Sequence, residues 1–257
     1  MLPSYFNNAY RRLARSEYNW WAVVALPAWI YTSFTIAQLL VSGLVQALNT
    51  LQVPFMLIDQ NVLTAALAAM IYLLTVGLAI SLPWLVLHHR TSLKQVGLQR
   101  LPTWTDIWMV PAGLVVYLIM SALLILLAKS LFPGFDAGQA QNVGFGHLTQ
   151  GYEYLLAFAT LVIIAPAAEE ILFRGYLFGK LRLFVPIWSA ILVTSLLFGY
   201  MHGALNLALD TFCLSLVLCV LRTSTGSLWS SILLHMTKNG IAFYFLFINP
   251  ALLGTLW

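Results

Sequence analysis

The sequence predicts an all-α integral membrane protein, built as a bundle of seven transmembrane helices, or eight if one longer segment is divided. Its 257 residues are 61% hydrophobic and 8% charged, and the mean hydropathy is +0.89. Since a soluble domain carries roughly 25% charged residues, this composition requires lipid as the solvent. Only helix bundles or closed barrels satisfy the backbone there, and the long, uninterrupted apolar stretches favour helices over alternating barrel strands.

Seven apolar segments are close to the roughly 20 residues that a helix needs to cross a bilayer. The fifth and sixth segments are short and are joined near Gly203. We expect one membrane domain over residues 1–257, without a separate soluble domain. The segments run over 20–47, 62–87, 104–128, 153–178, 186–203, 205–222 and 227–248.

Lysine and arginine residues concentrate on alternate connections between these segments. Residues 88–103 are basic, whereas 48–61 contain no positive charge and 129–152 contain only Lys129. Because cytoplasmic loops carry the excess of positive charge, this pattern predicts a cytoplasmic N-terminus. The basic residues before the first segment are Arg11, Arg12 and Arg15. We interpret the net charge of +4 as topology information and expect no nucleic-acid partner.

Ionisable side chains inside a bilayer are costly, so each one is a candidate functional residue. Here they cluster in the C-terminal half of the chain, on three successive helical regions. The sequence predicts that these regions bring their polar side chains into one cavity that holds water. The groups are Glu169, Glu170 and Arg174 in APAAEEILFRGYLF, His202 in LLFGYMHG, and His235, Lys238 and Asn239 in SILLHMTKNG.

The two adjacent glutamates are predicted to differ in their surroundings. Glu170 and Arg174 are four residues apart, so they share one helical face and can pair. Glu169 is rotated about 100° away and has no partner on its own helix, which suits a general base. In the alternative interpretation, both glutamates pair with Arg174 and Lys238 and only fix the helix packing.

The cluster suits the activation of a water molecule. Glu169 would take the proton, assisted by His202, while His235 and Asn239, which share a helical face, would donate hydrogen bonds to the oxyanion. The same ligand atoms of Glu169, His202 and His235 would also suit a divalent metal such as zinc. The residues leave both mechanisms open, and the sequence contains no HExxH motif.

Three short motifs in this region resemble those of a known family. EEILFR fits EExxxR, FGYMH fits FxxxH and HMTKN fits HxxxN, in that order. The segment 160–245 thereby resembles the CPBP family, the CAAX-processing and bacteriocin-processing (Abi) intramembrane proteases. A K-x-V-G-L segment from Lys94 to Leu98 is also similar.

The resemblance implies a membrane endopeptidase, with N-terminal helices and loops in 1–150 and a catalytic core in 151–249. It implies that Glu169 is catalytic, that His202 positions the water and that His235 and Asn239 complete the site. The supporting residues would be Glu170 and Arg174.

The implied partners are the lipid bilayer and a lipidated or membrane-associated peptide. The implied cofactor is a divalent metal such as zinc, or none. A non-catalytic scaffold or regulator of the same family is the first alternative. A transporter or proton relay is the second, but it would need polar residues across both leaflets, and they occur in one region only.

Overall fold

The computed structural model describes residues 18–54, 57–88, 90–139, 143–146 and 148–252, and within these ranges all regular elements are helical. The predicted all-α class is therefore confirmed. Arg11, Arg12 and Arg15, which the topology prediction used, lie outside the described residues. The helices are α1 (Ala22–Thr50), α2 (Gln60–Leu87), α3 (Leu93–Val96), α4 (Trp104–Leu131), α5 (Gly151–Leu181), α6 (Ile187–Tyr200), α7 (Leu205–Thr225) and α8 (Trp229–Ile248).

Six of the described helices are long and apolar enough to cross a membrane, namely α1, α2, α4, α5, α7 and α8. The fifth predicted segment, 186–203, forms the shorter helix α6, which has 14 residues. At 1.5 Å per residue α6 is about 21 Å long. The seven predicted segments thus correspond to six long helices and one short helix.

Helix α7 lies at the centre of the bundle. It packs against α4, α6 and α8, whereas α1 packs mainly against α2. In their most apolar windows α7 is 56% buried, but α1, α2 and α4 are each only 17% buried. The apolar surface that α1, α2 and α4 expose is the surface expected to face lipid.

Helix α5 contains two π-helical stretches, Ala159–Ile164 and Ile171–Leu177, on either side of the glutamate pair. Such widened turns often occur at functional sites. The Ala165 N–H donates to the Thr160 carbonyl, five residues back. The Leu161 carbonyl would accept from residue 165 in an α-helix and from residue 166 in a π-helix. Because the Ala165 N–H bonds Thr160 and Pro166 has no N–H, this carbonyl receives neither bond.

The connection before α4 forms a brace, residues 92–98, against the helices that carry the polar cluster. Ser92 and Gln95 form a capping box at the N-terminus of α3. The Arg222 guanidinium of α7 donates to the Gln95 carbonyl at 3.1 Å, and the Leu228 N–H donates to the Gly97 carbonyl at 2.9 Å. The buried Val96 side chain fills the space beside Gly175, in the second π-helical stretch.

Substitution of Gly175 by alanine should destabilise the protein through Val96. The added Cβ would lie 2.5 Å from Val96 Cγ1, so the brace or α5 must move. We expect Gly175→Ala to lower the apparent melting temperature in detergent by several degrees. Since Val96→Ala removes the opposing methyl groups, the double variant should be more stable than the sum of the two single changes predicts.

The matched control is Gly43→Ala, because no atom lies within 4 Å of a Cβ at that position of α1. Strict additivity of Gly175→Ala and Val96→Ala would contradict the proposed contact between the brace and α5.

Candidate active site

Glu170, Arg174 and His235 form a buried network between α5 and α8. Glu170 Oε1 accepts a hydrogen bond from Arg174 Nη1 at 2.7 Å, as the four-residue spacing predicted, and lies 2.8 Å from His235 Nδ1. The side chains of Glu170 and Arg174 are fully buried. With Nδ1 held by Glu170, the other ring nitrogen of His235 faces Glu169.

Glu169 points away from this network, toward α2. Its Oε1 accepts a hydrogen bond from the Tyr72 hydroxyl at 2.7 Å. Its Oε2 lies 3.8 Å from His235 Nε2, and its side chain keeps 16% of its surface exposed. Because 3.8 Å exceeds a direct hydrogen bond but is too short for a water between the two atoms, a water that meets both must lie to one side of them.

His202 lies in the turn between α6 and α7. Its Nδ1 is 2.7 Å from the Phe198 carbonyl, which leaves Nε2 free of that contact. Its ring packs against the Phe198 ring at a centroid distance of 4.7 Å, and Phe198 in turn meets the His235 ring edge-on at 5.9 Å. The end of the short helix α6 thus places His202 close to Phe198, whose ring also contacts His235.

The four predicted catalytic residues meet at one cavity of about 290 Å³. Glu169, His202, His235 and Asn239 all line it, and the supporting pair Glu170 and Arg174 lies behind His235. Much of the remaining wall is apolar. The apolar lining side chains include Ile30, Phe34, Leu161, Met201, Phe243, Leu246 and Phe247.

Asn239 has a second role that its spacing from His235 did not reveal. Its Nδ2 donates to the Leu161 carbonyl at 2.9 Å. This is the carbonyl freed by the π-helical turn before Pro166. The carboxamide therefore ties α8 to α5 and retains a second N–H for a ligand in the cavity.

Lys238 corrects one of the sequence-based interpretations. Pairing of Lys238 with Glu170 is wrong, because its Nζ lies 3.4 Å from Asp210 Oδ2 of α7. Asp210 Oδ1 also accepts hydrogen bonds from the Tyr117 hydroxyl at 2.7 Å and the Ser121 hydroxyl at 2.6 Å.

Sequence reasoning missed Asp210 and Tyr72. Asp210 is an ionisable residue in the sixth apolar segment, so the rule that singled out the glutamates would have found it. Tyr72 gave no comparable signal, because one tyrosine in an apolar helix is ordinary.

The proposed metal ligands do not form a recognisable metal site among the described residues. No group of three or more His, Cys, Asp or Glu side chains there is arranged to hold an ion. Tyr72 occupies one Glu169 oxygen, and Glu170 occupies His235 Nδ1. These contacts leave Glu169 Oε2 and His235 Nε2 available, and the zinc site stays a prediction.

The C-terminal part of the chain matches a known family. Residues 151–241 match the family described as type II CAAX prenyl endopeptidase Rce1-like. An Escherichia coli protein described as an uncharacterized 24.3 kDa protein is 34% identical over 99 residues, which are 36% of this chain and 45% of that protein. No solved structure matches the chain.

The family match confirms the resemblance drawn from the three motifs, since all of them lie inside residues 151–241. The matched segment runs from the start of α5 into α8.

Removal of the Asn239 carboxamide should loosen the contact between α8 and α5. Asn239→Ala leaves the Leu161 carbonyl without its donor, which costs about 1–3 kcal/mol for a buried group. For a chain of this size we expect the apparent melting temperature in detergent to fall by a few degrees or more.

The matched control is Thr237→Ala on the same helix. Among the described residues, the Thr237 hydroxyl bonds the Leu233 carbonyl of its own helix, so its loss should change the melting temperature far less. Equal shifts for the two variants would show that the bond from Asn239 to Leu161 does not hold the helices together.

Proposed function

We propose that this protein is an intramembrane endopeptidase that hydrolyses a peptide bond of a lipidated or membrane-associated substrate. The observation that carries the proposal is the placement of Glu169 Oε2 opposite His235 Nε2, 3.8 Å apart. Both residues line a cavity whose other walls are largely apolar. A carboxylate that can take a proton from water, beside an imidazole that can donate to the oxyanion, supplies the groups for general-base hydrolysis.

The proposed reaction needs one water and one proton shuttle. Glu169 takes a proton from the water, and the resulting hydroxide adds to the scissile carbonyl carbon. The tetrahedral intermediate then collapses: the C–N bond breaks, and Glu169 returns the proton to the leaving nitrogen. The Tyr72 hydroxyl holds one oxygen of Glu169, so the other oxygen remains directed at the water.

The two histidines and Asn239 are proposed to bind the oxyanion and the water through hydrogen bonds. Glu170 Oε1 holds His235 Nδ1, so Nε2 is the ring nitrogen available to the oxyanion, together with the second N–H of Asn239. His202 holds the water through Nε2, because its Nδ1 faces the Phe198 carbonyl.

Glu170 and Arg174 support the site without touching the substrate. Both are sealed from the cavity, and the Arg174 guanidinium lies over the Phe198 ring at 4.3 Å from its centroid. Removal of one member strands the other charge in the core, at a cost of about 3–5 kcal/mol. Their role is therefore to hold His235 and α5 in place.

The apolar walls of the cavity support a substrate that arrives from the membrane. Ile30 and Phe34 of α1 line the same cavity as Glu169, and so do Leu246 and Phe247 of α8. Apolar walls with a few convergent polar groups are typical of a binding site for an apolar ligand.

Loss of the Glu169 carboxylate should abolish hydrolysis while the fold is retained. Since general acid–base catalysis contributes about 10²–10⁴-fold, we expect Glu169→Gln to lower kcat by at least about 100-fold. The measurement is cleavage of a fluorogenic lipidated-peptide library by purified protein, with folding checked by size-exclusion chromatography. A parallel set with a strong chelator tests the predicted metal.

The matched control is Glu153→Gln, because Glu153 lies on the same helix but bonds Asn61 and Thr149 away from the cavity. When the cleavage rate is normalised to the amount of folded protein, Glu153→Gln should match the wild type. Cleavage that survives in Glu169→Gln would exclude Glu169 as the base. A folded wild-type protein that cleaves no library member would favour the non-catalytic scaffold or regulator.

A further inference from the structure

A second pair of charges, Asp210 of α7 and Lys238 of α8, lies between these two helices and apart from the Glu170 network. Their side chains are 19% and 20% exposed, and they are 3.4 Å apart. Helix packing alone is achieved more easily with apolar side chains, because charges in a low-dielectric core pay a large desolvation cost. An ionisable pair on two helices that can cross a membrane is therefore a candidate functional site.

The two members of this pair are held unequally. Asp210 is fixed on three sides, by Tyr117, Ser121 and Lys238. The Lys238 ammonium has three donors, and among the described residues its polar contact is with Asp210. Asp210 thus anchors Lys238 and leaves donor capacity for another acceptor.

The free side of Lys238 borders the proposed catalytic cavity. Lys238 lines the same cavity as Glu169 and His235, and among its described lining residues it is the one lysine or arginine. It follows His235 by three residues on α8, a rise of about 4.5 Å along the helix axis. A substrate bound at Glu169 would therefore pass close to a fixed cation.

We propose that Lys238, held by Asp210, is an anion-binding subsite that takes a carboxylate of the substrate near the scissile bond. Since an extended peptide advances about 3.3 Å per residue, the carboxylate would lie within a few residues of that bond. It is either the C-terminal carboxylate or an Asp or Glu side chain. This inference rests on the proposed function, because it describes the substrate of the same cavity.

The test is a binding measurement that needs no hydrolysis. Full-length Glu169→Gln protein in detergent is titrated with a fluorophore-labelled S-farnesyl-cysteine peptide that ends in a free acid, and with the same peptide as an amide. A second pair of amidated peptides carries Asp or Asn beside the cysteine. We expect the preferred acid to bind about tenfold more tightly than its neutral partner.

Lys238 should account for this preference. In Glu169→Gln/Lys238→Met the affinity ratio should fall to about one, while Glu169→Gln/Lys238→Arg should retain it. Because Lys238→Met strands the Asp210 charge and endangers folding, a triple variant that adds Asp210→Asn removes both charges and should also lose the preference.

The two pairs of peptides distinguish a C-terminal carboxylate from a side-chain carboxylate. A preference for the free acid assigns the subsite to the substrate C-terminus, and a preference for Asp over Asn assigns it to a side chain. Equal binding of every acid and its neutral partner to Glu169→Gln would overturn the subsite and leave a structural ion pair. So would an acid preference that survives in the triple variant.

Failure of the endopeptidase proposal would look different. Absent cleavage by folded wild-type protein, with an acid preference that depends on Lys238, would leave a carboxylate-binding cavity without hydrolysis.

Discussion

The burial of the Glu170–Arg174 ion pair is the constraint on which the rest of the site depends. Two charges with fully buried side chains are tolerable in this core only if each one finds fixed partners. Glu170 finds Arg174 and His235, and the Arg174 guanidinium lies against the Phe198 ring. Those contacts fix α5 against α6 and α8, so the position of His235 follows from the need to satisfy Glu170.

Glu169, the neighbour of Glu170 on α5, has a different role, and the irregular backbone on either side recruits a further residue to the site. Two π-helical stretches flank the pair, and Glu169 emerges on another face, toward Tyr72 of α2. The same irregularity frees the Leu161 carbonyl, which Asn239 then satisfies from α8. The ordinary rotation of about 100° per residue thus separates a structural carboxylate from an accessible one, and the first π-helical stretch recruits Asn239 to both packing and site.

Sequence spacing predicted the contacts that lie along one helix. Four-residue intervals predicted the Glu170–Arg174 pair, and the shared face of His235 and Asn239 agrees with their common cavity. The contacts between helices were not accessible in that way, because a linear pattern does not show which faces of two helices meet. Tyr72 is 97 residues from Glu169, and Asp210 meets Lys238 only because α7 and α8 pack together.

Exposure, more than chemistry, distinguishes the two charge pairs of the core. Both pairs join a carboxylate to a basic side chain. Glu170 and Arg174 have no exposed side-chain surface, whereas Asp210 and Lys238 keep about one fifth of theirs. A fully sealed pair cannot exchange partners without opening the bundle, so it suits a fixed support. A pair that borders the cavity can meet a ligand without such opening, which is why Lys238 and not Arg174 is the cation available to a substrate.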